Sequence, residues 1–322
     1  MAKPLKQWKS YTQQLQLLES RGMIVTDNAK ALNYLERVGY YRLSGYWYPF
    51  RQIDVQASKA QNKPIRKNEF VQQSNFENIV DLYIFDKKLR LLALDALERI
   101  ELAVRVDVAH LLGERDRNAH QIADCLHGNF TKKLIKNGKN AGKTEHAVWL
   151  EKYNALLYQA RREPFIEHHK KHYEGCVPVW VAIEIWDFGL LSRMYSGLKY
   201  QDQQCIAEKY NIKSGEIFAK WLRSLNFVRN VAAHHSRLWN INILELSPQV
   251  DNWQPMNNAR PFFYFCIIQH LLKRICPNST WSERFKQLLA EFPQIGNGMI
   301  TLGDFGIAQE DWQEWELWQI RK

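Results

Sequence analysis

Apolar residues recur along this chain at three- and four-residue steps, a period that predicts helices rather than strands. Leu15 and Leu18, then Ala31, Leu32 and Leu35, mark two helices between Thr12 and Arg37, parted at Arg21-Gly22. Thr26-Asp27 supplies the second with an N-cap, since a short side-chain oxygen can accept from the orphan N–H groups of a first turn. The block Val38 to Phe50, VGYYRLSGYWYPF, holds six aromatics and two glycines in 13 residues. It reads first as a wedge between core helices, because large rings dominate core burial. A stacking platform for unpaired bases is its other use. Residues 54–68, polar and lysine-bearing, read as an exposed loop.

Phe76 to Leu112 contains neither glycine nor proline. Leu82, Phe85, Leu89, Leu92, Ala96, Ile100, Ala103, Asp107 and Leu111 trace a stripe along it. The stripe predicts one helix of about 35 residues, about 50 Å long, the spine of a bundle. On it Glu101 and Arg105 form an i,i+4 ion pair next to Glu98, which reads as a salt bridge. Helices are also expected over Glu145–Arg162, Pro178–Leu198, Ile217–Trp239 and Pro261–Ile275. The last of these is strongly apolar but too short to span a bilayer. Trp312, Trp315, Leu317 and Trp318 form a short amphipathic segment expected to dock on the body. The fold class is therefore all-α. A helical and aromatic extension (1–70) precedes a helical core (71–290), and a Trp-rich segment (291–322) packs on that core.

Composition narrows the partners. Lys and Arg total 44 against 34 Asp and Glu, a net charge of +10, which suits a polyanion whose condensed counterions basic side chains displace. Lys132, Lys133, Lys136 and Lys139 stand in a Gly- and Asn-bearing stretch that is either a solvated loop or a track for an RNA backbone. The five cysteines are scattered with no CxxC pair, so neither a zinc site nor a disulfide framework is expected, and the thiols read as reduced. His168 and His172, at i,i+4, offer one helical face to a metal, but no further ligand lies near them in sequence. No phosphate-binding glycine loop is present, and no cofactor is expected. The polar Met1 to Ser10 has no apolar run of a leader, so the chain reads as cytoplasmic.

One segment carries chemistry: Trp221-Leu-Arg-Ser-Leu-Asn-Phe-Val-Arg229-Asn230-Val-Ala-Ala-His234-His235-Ser-Arg237. RNA brings its own nucleophile, the 2′-hydroxyl, so a ribonuclease needs only a proton acceptor, a proton donor and fixed positive charge. Histidine, ordinarily titrating near 6.5, suits the proton work. Arginine's permanent fork suits phosphate oxygens, asparagine can hydrogen-bond a ring or a phosphate, and no metal is required. On a straight helix Arg229 and His234 would diverge by about 140° and be offset by about 7.5 Å. Arginine's reach, a helix end near His234, or a second copy across a two-fold axis would bring them together, and the homodimer is the favoured solution. The bare R-x4-H pattern is cheap, since Arg115-Asp-Arg-Asn-Ala-His120 matches it too. A buried polar network tying helices together is the bland alternative for the 229–235 segment.

At these residues the chain resembles the Abi-like abortive-infection proteins of the AbiD/AbiF group. The resemblance rests on QLQLLESRG (14–22), LERVGYYRLSGYWYPF (35–50), YIFDKKLRLLALDALERIELAVR (83–105), PVWVAIEIWDFGLLSRMYSGL (178–198) and LNFVRNVAAHHSRLW (225–239), in that order. That family is grouped with HEPN domains, all-helical modules whose R-x4-6-H motif cuts RNA, usually as dimers. The resemblance implies an HEPN-like bundle in which Arg229, Asn230 and His234 cut RNA, with His235 auxiliary; by their charge Arg237 and the four lysines are expected to contact the RNA. It also implies a toxin-like role in anti-phage defence, restrained by a small structured non-coding RNA. Some HEPN proteins only bind, so a non-catalytic RNA-binding module is the competing expectation.

Overall fold

A computed structural model describes residues 7–173, 175–295 and 298–319. Its axis is the helix Phe76–Arg115, 40 residues long and so about 60 Å from end to end. It contains no proline, and its single glycine, Gly113, falls in the closing turns. Asn75 starts it by accepting from the Glu77 N–H at 2.7 Å. Leu82, Phe85, Leu89, Ala96 and Ile100 are buried, as the stripe requires. Past Ile100 the buried register shifts to Val104, Val108 and Leu112, leaving Ala103, Asp107 and Leu111 half-exposed. The reason is a change of neighbour: the short helix Val179–Ala182 covers this end, with Gly113 lying against Val179 and Trp180.

Around the spine pack Tyr40–Trp47, Gly215–Ala233, Pro261–Ile275 and Trp281–Ala290. Pro261–Ile275 is apolar on nearly all sides and correspondingly buried on nearly all sides, from Phe262 to Leu272. The apolar core runs as one continuous cluster from Leu15 to Trp318. At its far end Trp312 and Trp318 dock on the body, their rings 5.4 Å and 6.2 Å from Phe262. No helix among the described residues is long and apolar enough to cross a membrane.

The N-terminal helices lie at Tyr11–Glu19 and Asn28–Arg37, the second capped by Asp27, whose carboxylate accepts from the Lys30 N–H at 2.9 Å. The aromatic block is mostly core: Tyr46, Trp47 and Phe50 are buried, whereas Tyr41 is 90% exposed. Residues 54–68 are not a plain loop. Arg51–Ile53 pairs antiparallel with Arg66–Phe70 across a helix at Val55–Gln61 started by Asp54. Short-range capping made that element, which a polar composition concealed. Pro178–Leu198 is likewise broken. Asp187 turns its carboxylate onto the Leu190 N–H at 2.6 Å and opens a new helix, Phe188–Gly197.

Candidate active site

Gly215–Ala233 is the helix that carries the chemistry-bearing segment. Ser214 caps it by accepting from Ile217 at 3.2 Å, and Phe218, Leu222, Leu225 and Val228 bury its apolar face. The expected extension to Trp239 does not occur. Ser236 donates to the Val231 carbonyl at 2.9 Å and His235 to that of Ala232 at 3.1 Å, the paired bonds of a Schellman ending. His235 takes the left-handed position, φ +57°, that glycine usually fills. The helix therefore ends at Ala233, with His234 closing its last turn.

The chain beyond that turn is clamped from behind. The Arg42 guanidinium donates to the His235 carbonyl, and that of Arg237 to the Gly45 carbonyl. Asp86, fully buried on the spine, accepts from the Leu238 and Trp239 N–H groups at 3.0 and 2.7 Å through one oxygen. Its other oxygen takes the Tyr46 hydroxyl at 2.7 Å and the Arg90 guanidinium. Burial pushes the Asp86 carboxyl up; Arg90, the Tyr46 hydroxyl and the two backbone donors pull it back. Both His234 and His235 are exposed, and neither imidazole takes part in a hydrogen bond or an ion pair among the described residues.

Arg229 sits half-buried at a divide, lining two hollows. On one side lies a groove of about 750 Å³, walled by Arg193, Arg223, Asn226, Phe227 and Asn230 and by Asn129 and Phe130 opposite. On the other lies a hollow of about 350 Å³ bounded by Leu94, Glu98, Glu101, Leu102 and Arg105. Among the described residues the Arg229 guanidinium donates to the Asn230 side-chain oxygen alone, at 3.3 Å. Glu101 and Arg105 form the expected pair at 2.6 Å. Burial raises the Glu101 carboxyl, the charges of Arg105 and Arg229 lower it, and Asp187 raises it further.

Of the residues expected to act, the structure gathers Arg229 and Asn230 at the groove and places His234 one helical turn beyond Asn230. Arg229 and His234 do not touch, in keeping with their divergence on a regular helix. Lys132, Lys133, Lys136 and Lys139 are exposed on the loop leaving Phe130 at the groove wall. That wall is set by Gly197, where a Cβ would strike the Phe130 ring, and by a 2.9 Å bond from the His127 N–H to the Gly197 carbonyl. Arg237 faces the other way, half-buried on Gly45, where burial lowers its pKa. His168 and His172 are exposed, their rings 4.8 Å apart. Among the described residues no three His, Cys, Asp or Glu side chains form a metal-sized group. The five cysteines are free thiols, Cys125 and Cys266 buried.

Sequence reasoning passed over Arg223 and Asn226. Their steps of seven and four back from Asn230 put them on one helical face, a periodicity that was available. It also took Glu101 for a salt bridge alone and gave Asp86 no role. Nothing local announces either contact, because each is made by elements far apart in the chain.

The Abi-like protein family model matches residues 33–240, a span that holds the whole spine, the groove lining except Glu245, and every residue of the Arg229–His235 segment. The chain belongs to that family, which is named for abortive infection. No curated protein and no solved structure matches it.

Proposed function

We propose that this protein is a metal-independent HEPN-type endoribonuclease acting in the cytoplasm in abortive infection, with Arg229, Asn230 and His234 at its site. One observation carries the reading. An arginine whose one hydrogen bond among the described residues is to its neighbour stands at the groove, and an exposed histidine with neither ring nitrogen committed among them stands at the end of the same helix, where Asp86, Arg42 and Arg237 hold the following turn from behind. Preorganised donors that are not spent on the fold are what a developing charge requires.

In the reaction the 2′-oxygen bonds to phosphorus as an imidazole takes its proton. The bond from phosphorus to the 5′-oxygen breaks as a second group returns a proton to the leaving alkoxide. The guanidinium and the Asn230 amide face the charge gathered on the non-bridging oxygens. The products are a 2′,3′-cyclic phosphate and a 5′-hydroxyl. A second copy of the chain supplies the missing proton donor. Leu91, Leu102 and Val106 stand exposed along the spine on the Arg229 side, 59%, 47% and 66% accessible, and Trp180 is 51% accessible at its end. An apolar stripe of this kind suits an isologous contact that sets two sites face to face. The lysine loop is where a small structured RNA that restrains the enzyme would be held by its backbone.

Purified wild type and His234→Ala, each incubated with total RNA and tRNA in EDTA, decide the matter. The wild type should cut and the variant should not, at equal thermal stability. Cutting undiminished in the variant would remove the reading. A wild type that binds RNA yet leaves it whole would put the non-catalytic RNA-binding module in its place.

A further inference from the structure

The 750 Å³ groove is larger than the chemistry at one phosphate needs, and its lining is unusual for a structural cleft. Arg223 and Lys152, both exposed, and the half-buried Asn226 line it with no hydrogen bond or ion pair among the described residues, so their polar groups are open to a ligand. Here they follow one helical face: Arg223, Asn226 with Phe227, Asn230, then His234, at steps of three and four. The Asn226 amide lies against Gly189 of the neighbouring helix, at a distance where an added Cβ would make ordinary contact.

Resting on the nuclease reading, we propose that this groove receives an extruded, unpaired nucleotide next to the cleaved bond. A pocket of this size falls within the range, about 300–1,000 Å³, that encloses small organic ligands. A duplex cannot enter it, and the base edges of an RNA helix are withheld in a deep major groove. The charges point the same way. Four cations line the groove, Lys152, Arg193, Arg223 and Arg229, but so do Glu145, Asp187 and Glu245. Three carboxylates would oppose a polyphosphate, whereas they and the asparagines can accept from the N–H donors of a base. The half-buried Phe227 ring offers a stacking surface, and Arg223 takes the adjoining phosphate.

The probe is a 2′-fluoro single-stranded 10-mer, which has no 2′-hydroxyl to attack, measured against the same sequence paired into a duplex in EDTA. The wild type should bind the single strand at least about tenfold more tightly than the duplex. Arg223→Ala and Asn226→Leu should each weaken single-strand binding about tenfold, with Arg223→Ala also lowering the salt slope by about one. Both should reorder the preferred cut sites on a random-sequence RNA. Equal affinity for the duplex, or wild-type affinity and site ranking in both variants, would overturn the proposal. Because the probe cannot be cleaved, this arm reads the groove alone. Failure of the nuclease reading would show instead as loss of cutting on unmodified RNA by the wild type.

Discussion

The chain contains the same five-step pattern three times, at Arg105…His110, Arg115…His120 and Arg229…His234, and the last two meet opposite fates. Arg115…His120 is absorbed into the fold. The Arg115 guanidinium closes on Asp202 at 2.9 and 3.0 Å, and His120 is fully buried in a box of Trp149, Tyr153 and Trp186. Neither His120 ring nitrogen has a hydrogen-bond partner among the described residues, and burial, then the neighbouring His146, lowers its pKa to about 4. Arg229…His234 is the reverse. Among the described residues its arginine hydrogen-bonds to Asn230 alone, its histidine is exposed, and the fold's effort goes into the backbone behind it. The difference is one of access: neither imidazole has a hydrogen-bond partner among the described residues, but His120 is sealed in the core and His234 is open to solvent.

That contrast can be broken experimentally. His234→Ala should lower RNA cutting by about a thousandfold, within the usual worth of a positioned acid–base group, with no change in melting temperature. His120→Leu should leave cutting intact. Equal losses in the two would erase the distinction. Asp86→Ala should cost about 3–5 kcal/mol in urea unfolding, because it leaves Arg90, the Tyr46 hydroxyl and two backbone N–H groups buried without their acceptor.

Acid should find His120 next. Its folded pKa of about 4 lies below the ordinary histidine value near 6.5, so between those limits the unfolded chain binds the extra proton. Stability present above pH 6.5 should therefore fall as the pH drops towards 4, by up to about 3 kcal/mol from this group. His120→Leu should flatten that part of the curve, as measured by denaturation at successive pH values. The smallest effect belongs to Arg115→Ala, about 1 kcal/mol, since its pair with Asp202 is partly exposed.

Much of this was legible in the sequence because it is local. Helical periodicity located the spine, and Asp27 and Pro261 marked helix starts to the residue. The Arg229–His234 segment stood out by its crowded polar groups. What escaped depended on distance along the chain. Arg237 reads as available for RNA, yet the Gly45 carbonyl holds it, and Asp86, to which the sequence assigns no role, accepts from the Leu238 and Trp239 N–H groups. The early end of the motif helix was hidden for another reason. His235 fills a left-handed position that only glycine or asparagine would have signalled.

The central claim is that fixed charge and an imidazole, working on the RNA's own hydroxyl, cut the strand at Arg229 and His234. End-group analysis of products formed by the wild type in EDTA tests it most directly. The account requires 2′,3′-cyclic phosphates opposite 5′-hydroxyls, absent from His234→Ala digests. Products bearing 5′-phosphates, formed only when a divalent metal is restored, would contradict it.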